Sequence, residues 1–236
     1  MPVEVGLGLV WYAVFVASTV CHEAAHAFVA LRLGDTTAHD AGLATLDPIP
    51  HVQRSPIGMV VVPIVSFLVS LPTAWMIGWA STPYDPYWAQ RNRRKAAVMA
   101  LAGPAANFAL IILAAILIRL GMLLGLFVAP ETVTWTRITA AASPGPAAGA
   151  AVVISILFSL NLILMVFNLL PVPPLDGSEV LPLVLNESKA RHYRELMAQP
   201  AASIIGLVVA WNIIDFVLGP MQLVALNLLY PGAGYH

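Results

Sequence analysis

Residues 5–33 carry no charged or histidine side chain except His22, Glu23, His26 and Arg32, and three of those four fall within five positions. The run exceeds the roughly 20 apolar residues that a helix needs to span a bilayer. An ionisable group at membrane depth costs about 2.5–3.5 kcal/mol by insertion scales, so three together point to a function. His22 and His26 stand four apart and share one helix face. Both can ligate one Zn²⁺ in the HExxH pattern, and Glu23 is placed to take a proton from the attacking water. His22 lies 17 residues beyond Val5, about 26 Å along a helix at 1.5 Å per residue. In a hydrocarbon core about 30 Å thick, that depth is inside the membrane but toward one face.

The rest of the chain has the same solvent. Charged residues make up 10% and hydrophobic residues 59%, with mean hydropathy +0.84, whereas soluble domains carry about 25% charged residues. The fold class expected is an all-α polytopic membrane protein. It is a helix bundle with a membrane-embedded zinc site, a re-entrant segment and a short strand pair. A net charge of −1 suggests no nucleic-acid partner. Cys21 is the only cysteine, so no internal disulfide forms. Beside His22 a thiolate can reach a metal, but a small buried residue is the commoner role. The first apolar run lacks a basic leader and is too long for a signal peptide, so it is expected to be retained.

Apolar segments separate along the chain. After residues 5–33, residues 34–56 are polar, with a strand pair expected around Ala44–Leu46. Residues 57–80 are apolar but broken by Pro63 and Pro72. Residues 81–95 are polar and end in Arg91, Arg93, Arg94 and Lys95, a topological anchor at the membrane surface. A long helix is expected over 96–128, with Arg119 snorkelling or pairing within the bundle. Residues 129–149 read as a linker, 150–170 as a further span, and 172–200 hold most of the remaining charge. A last apolar segment, about 201–230, is broken at Gly219-Pro220. Trp75, Trp79, Trp88 and Trp135 fit an interfacial belt. Residues 1–236 read as one integral-membrane domain, with its catalytic core over about 5–182.

A second chemical cluster follows the 150–170 helix: Asn168, then Pro171, Pro173 and Pro174, then Asp176-Gly177. Proline cannot continue a helix without losing hydrogen bonds, so the helix ends or unwinds here. Unwound backbone at membrane depth is tolerated where it is buried in protein or lines a water-filled cavity. A carboxylate on such a stiff segment is either a third metal ligand or the cap of the next helix.

HExxH at residues 22–26 together with NxxPxxxLDG at 168–177 resembles the site-2 protease family of intramembrane zinc metalloproteases, in its small branch without PDZ or CBS domains. Ala102-Gly103-Pro104-Ala105-Ala106-Asn107 matches that family's GPxxN. Thr45-Leu46-Asp47-Pro48-Ile49-Pro50-His51 and Gly78-Trp79-Ala80 resemble the bacterial and archaeal branch. Two departures stand out: Val52-Gln53 follows His51 in place of an Asp-Pro pair, and Ser81-Thr82 replaces a Lys-Pro.

The resemblance implies one Zn²⁺ per chain held by His22, His26 and Asp176, with Glu23 as general base and then acid. It implies Asn168 near the metal, binding the substrate carbonyl or developing oxyanion. His51 is a candidate for a supporting or oxyanion role, or an interfacial loop histidine that reaches water. Asn107 is expected to pack and hydrogen-bond between helices. The implied substrates are transmembrane or signal-peptide-like segments, and the implied surroundings are a prokaryotic cytoplasmic membrane. The oligomeric state is left open. The alternative is a membrane zinc transporter or sensor using the same ligands without hydrolysis. Transport predicts further paired polar residues, for which the chain offers chiefly Asn161, Asn212 and Asp215.

For His26 and Asp176 to share one ion, the ends of their helices must lie on the same side of the membrane. Residues 57–80 then cannot be a single crossing and are expected to dip in and return. Arg32, Arg54, Arg91, Arg93, Arg94, Lys95, Lys189, Arg191 and Arg194 fall on that side and Arg137 opposite. By the positive-inside rule the active site opens toward the cytoplasm.

Overall fold

The computed structural model describes residues 2–70, 76–197 and 199–235, with backbone only for residues 2–4. In chain order the elements are α1 (Pro2–Leu33), α2 (Thr37–Asp40), α3 (Pro48–Arg54), a π-helical turn (Ile57–Val61) leading into α4 (Val62–Val69), α5 (Pro86–Arg91) and α6 (Arg93–Leu123). Then follow β1 (Phe127–Val128), β2 (Ala140–Ala141), α7 (Pro146–Asn168), α8 (Gly177–Val180), the 3-10 turn Leu181–Leu183, α9 (Glu187–Met197) and α10 (Ala202–Leu229). Among the described residues, four helices are long and apolar enough to cross a membrane: α1, α6, α7 and α10. This is an all-α polytopic membrane protein.

α7 is the centre of the bundle. One side packs Phe158, Leu162 and Met165 against Ile111 and Ile118 of α6 and Leu218 and Leu226 of α10. The other packs Ile156 and Leu160 against Trp11, Val14 and Phe15 of α1. Lipid tails compete with such contacts, so association rests on close approach through small residues. Ala27, Ala30, Ala97 and Ala114 are fully buried and permit it.

Several sequence expectations need correction. α6 starts at Arg93, and its end comes at Leu123 rather than Val128. Gly125, at φ +69°, closes it. Its N–H donates to Met122 O, and that of Leu126 donates to Gly121 O, which is a Schellman ending. α10 runs unbroken through Gly219-Pro220, a proline of the kind that spanning helices tolerate.

Residues 44–46 form bends, not strands. The His51 ring takes the Thr45 carbonyl and the Asp47 carboxylate takes the Ile49 N–H, so this backbone has no ladder to join. The strand pair is instead β1–β2, antiparallel, with Phe127 opposite Ala141. Trp88 is buried against Ala30, Ala96 and Met99, and so belongs to the core rather than an interfacial belt. Trp79 and Trp135 are exposed, and Trp75 lies outside the described residues. Arg119 pairs within the bundle, donating to the Leu229 carbonyl at 3.3 Å.

Among its described residues, the segment from 57 to 80 turns back on itself, the hairpin form expected of a re-entrant segment. Pro63 has no N–H to offer the Gly58 carbonyl, and that carbonyl accepts from Trp79 N at 3.0 Å instead. Ser66 Oγ accepts from Ile77 N at 3.0 Å. The returning leg therefore runs antiparallel beside the descending one. A Cβ on Gly58 would strike the Trp79 carbonyl, and one on Gly78 the Gly58 carbonyl, so the close backbone approach at these two positions requires glycine. At the mouth, Arg54 Nε donates to Ser81 O at 3.0 Å, which brings the two ends of the segment together. The sharp bend, 108°, falls between α3 and the π turn, at Ser55-Pro56 and not at Pro63. Pro63 sits in the first turn of α4, where a missing N–H is harmless. Pro72, the other expected bend, lies outside the described residues.

Candidate metal centre

α1 and α6 run antiparallel, and a stripe of α6 residues spaced by four meets the two histidines of α1. His26 Nδ1 donates to Met99 O at 2.8 Å. His22 Nδ1 lies 2.6 Å from Asn107 Oδ1. Between them, a Cβ on Gly103 would collide with Nε2 of both rings. The GPxxN pattern thus has a tertiary reason: the glycine clears room for the imidazoles, and the asparagine four residues on reaches one of them.

The direction of these bonds is set by the network behind them. Asn107 Nδ2 donates to Asn161 Oδ1 at 2.8 Å, and Asn161 Nδ2 donates to Ser18 Oγ at 2.9 Å. Asn107 therefore presents its carbonyl oxygen to His22, and His22 carries its proton on Nδ1. Met99 O sets the same tautomer for His26. Both Nε2 atoms then face inward as lone pairs. The network ties α1, α6 and α7 together below the site, and all three of His22, Asn107 and Asn161 are buried. Buried polar groups are costly unless paired, so its completeness matters.

Asp176 closes the cluster. It stands at the N-terminal boundary of α8, yet its side chain caps nothing there. Its carboxylate instead reaches back: Oδ2 is 3.2 Å from His22 Nε2 and Oδ1 is 3.4 Å from His26 Nε2. The two Nε2 atoms are 3.0 Å apart. Oδ2 is buried and makes no aligned hydrogen bond. These separations test the fit of a metal. A tetrahedral ion with bonds near 2.0–2.1 Å holds its ligands about 3.3 Å apart. Three inward-facing acceptors at that spacing, with both ring protons committed elsewhere, match a zinc-type site. Three protein ligands leave a fourth position open, as in catalytic rather than structural zinc sites.

Glu23 is buried but outside this ligand set. Its Oε2 accepts from Thr82 Oγ1 at 2.7 Å, and Glu23 O is 3.1 Å from the same hydroxyl. Thr82 belongs to the extended stretch that leaves the re-entrant segment. That stretch is anchored further on by Asp35, which accepts from Asp85 N at 2.9 Å and from the Thr37 N–H and hydroxyl. Burial alone raises the Asp35 pKa, but these donors outweigh it and hold the carboxyl below its ordinary value.

The remaining candidate residues make their hydrogen bonds outside the His22–His26–Asp176 cluster. Asn168 ends α7 and donates through Nδ2 to Leu164 O at 2.9 Å, which commits one of its two amide hydrogens. His51 is 2% exposed, so it is no water-reaching interfacial histidine; its Nε2 bonds Thr45 O at 3.0 Å and closes its own loop. Cys21 is half-buried and stands outside the cluster. Sequence reasoning missed Ser18 and Met99, noted Thr82 only as a departure from the family pattern, and weighed Asn161 only as part of a transport pathway. A lone asparagine in an apolar helix carries no signal until its partners are known.

Comparison with known proteins agrees with this geometry. The pattern of Peptidase family M50 matches residues 10–213. The chain is 33% identical over 167 residues to a Bacillus subtilis protein named "Putative zinc metalloprotease YwhC", covering 70% of this chain and 64% of that one. It is 28% identical over 195 residues to "Putative zinc metalloprotease Rip2" of Mycolicibacterium smegmatis, covering 79% and 61%. It therefore spans less than two thirds of the length of either relative. No solved structure matches it. With the family pattern matched over most of its length and the His22–His26–Asp176 cluster assembled from two separate motifs, the chain belongs to Peptidase family M50, the site-2 protease family.

Proposed function

We propose that the chain is an intramembrane zinc endopeptidase that cleaves transmembrane or signal-peptide-like segments. The observation that carries this reading is the convergence of His22, His26 and Asp176 beside Glu23, on helices apolar enough to lie in a bilayer. His22, His26 and Asp176 would hold one zinc per chain. When bound, zinc supplies polarisation of the scissile carbonyl and lowers the pKa of a water to about 7.

The chain's own residues do the rest. Glu23 takes a proton from the water as its oxygen bonds the carbonyl carbon, then delivers it to the leaving nitrogen as the C–N bond breaks. Asn107 and Met99 hold the two rings in the tautomer that keeps Nε2 free. Asn168 offers its uncommitted amide hydrogen to the developing oxyanion. A substrate helix hides its peptide bonds, so it must unwind before a carbonyl reaches the site, and helix-breaking residues lower that cost.

Purified protein should hold about one zinc per chain, as a three-ligand catalytic site does. Glu23→Gln should keep the metal and lose peptide cleavage, whereas His26→Ala and Asp176→Ala should lose both. The probe is a fluorophore–quencher peptide of roughly 20 Leu and Ala residues, one span's length, interrupted by Gly-Pro. A zinc-loaded Glu23→Gln variant that still cleaves sinks the mechanism.

The cytoplasmic orientation of the site is tested separately. In a Cys21→Ser background, cysteines at the exposed positions Gln53 and Gln90 should label from the cytoplasmic face with an impermeant thiol reagent. One at Thr134 should label from the other.

A further inference from the structure

Thr82 stands where the family resemblance leads one to expect a different residue. Among the described residues, it is the one side chain that hydrogen-bonds the Glu23 carboxylate. From that contact we infer that Thr82 is a positioning residue for the general base: its hydroxyl pins Glu23 Oε2 and so directs Oε1 toward the reacting centre. This rests on the peptidase reading above.

Three features support it. The contact is short, with Thr82 Oγ1 2.7 Å from Oε2, and a carboxylate accepts while only the hydroxyl can donate. The same hydroxyl lies 3.1 Å from Glu23 O, so it sits against both ends of one residue and limits the side chain's rotation about the backbone. Glu23 is buried, so no bulk water competes for that oxygen.

The segment carrying Thr82 does not depend on this bond. Trp79 N donates to Gly58 O at 3.0 Å, Arg54 Nε holds Ser81 O at 3.0 Å, and Asp85 N donates to Asp35 Oδ2 at 2.9 Å. The backbone is fastened on both sides of Thr82 by groups other than its hydroxyl. The hydroxyl can therefore be removed without releasing the stretch, and its effect on Glu23 can be read by itself. The re-entrant segment thereby gains a chemical role, because it delivers a donor to a base on another element, 59 residues earlier in the chain.

The test compares Thr82→Val, which keeps the shape and loses the donor, with Thr82→Ser, which keeps the donor and loses the methyl group. Both are assayed in the zinc-loaded full chain with the Gly-Pro peptide, beside wild type and Glu23→Gln. The expected result is a kcat about tenfold lower for Thr82→Val, the scale of one hydrogen bond to a charged group. KM and zinc content should stay unchanged, and Thr82→Ser should restore turnover. A Thr82→Val enzyme with wild-type kcat overturns the assignment. So does a Thr82→Ser enzyme as slow as Thr82→Val, because the methyl group and not the hydroxyl would then matter. A zinc-loaded wild type that leaves the peptide intact overturns the peptidase reading instead.

Discussion

The candidate metal centre has two halves built on different principles. The helical half is His22 and His26, each oriented by a neighbour on α6, with His22 backed by the Asn107–Asn161–Ser18 chain. The loop half is Asp176, on the turn after α7, and Thr82, on the stretch leaving the re-entrant segment. In the helical half every polar atom that sets ring orientation has a partner on another helix. In the loop half each contact reaches the site from a segment held by a few hydrogen bonds. Two histidines on one helix are aligned by its geometry alone; a carboxylate from the turn after α7 needs the chain to be bent toward it. The difference points to a division of work, with the helices fixing the ligand field and the loops completing it.

The sharpest way to break that comparison is Gly103→Ala. The added Cβ falls against Nε2 of both histidines, where the ion would sit. Alanine favours a helix over glycine by about 0.8–1.0 kcal/mol, so α6 itself should not weaken. Zinc binding and activity should both be lost, and the thermal transition of the apo protein should fall, because both rings must give up their bonds to Met99 and Asn107 to make room. Full zinc occupancy by elemental analysis would show that the helical half is looser than its packing implies.

Asn168→Ala probes the join between the halves. A single amide donor to an oxyanion is worth roughly 10²–10³ in kcat, so turnover should fall by about that much while zinc content holds. Loss of zinc would mean that Asn168 supports Asp176 and not the oxyanion. The smallest effect is expected for Asn107→Ala, which removes the partner of His22 without touching a ligand. Zinc affinity, measured by competition with a chelator, should weaken about 10–100-fold. No change would show that the helix alone orients His22.

The two motifs were legible because each is local. HExxH places two histidines on one face by periodicity, and the prolines at 171, 173 and 174 end α7 before Asp176 by stereochemistry that needs no neighbour. The four long apolar helices follow from the cost of unpaired backbone in lipid. Even the return of residues 57–80 followed from a constraint: two ligands far apart in sequence must meet at one ion. Two of the misreadings share one cause, a tertiary contact. Trp88 reads as interfacial until Ala30, Ala96 and Met99 close over it. Residues 44–46 read as a strand until His51 takes their carbonyl.

Residue type and spacing alone determined the solvent of this chain, its helices and which side chains could bind a metal, because helix period, proline chemistry and lipid act on each segment independently. Only the tertiary structure decided which ring nitrogen each histidine presents, why residue 103 is glycine and what holds Glu23. Those depend on contacts between α1 and distant parts of the chain, with partners 59, 73, 85 and 143 positions away. No local rule specifies a hydrogen bond whose partner arrives from another helix.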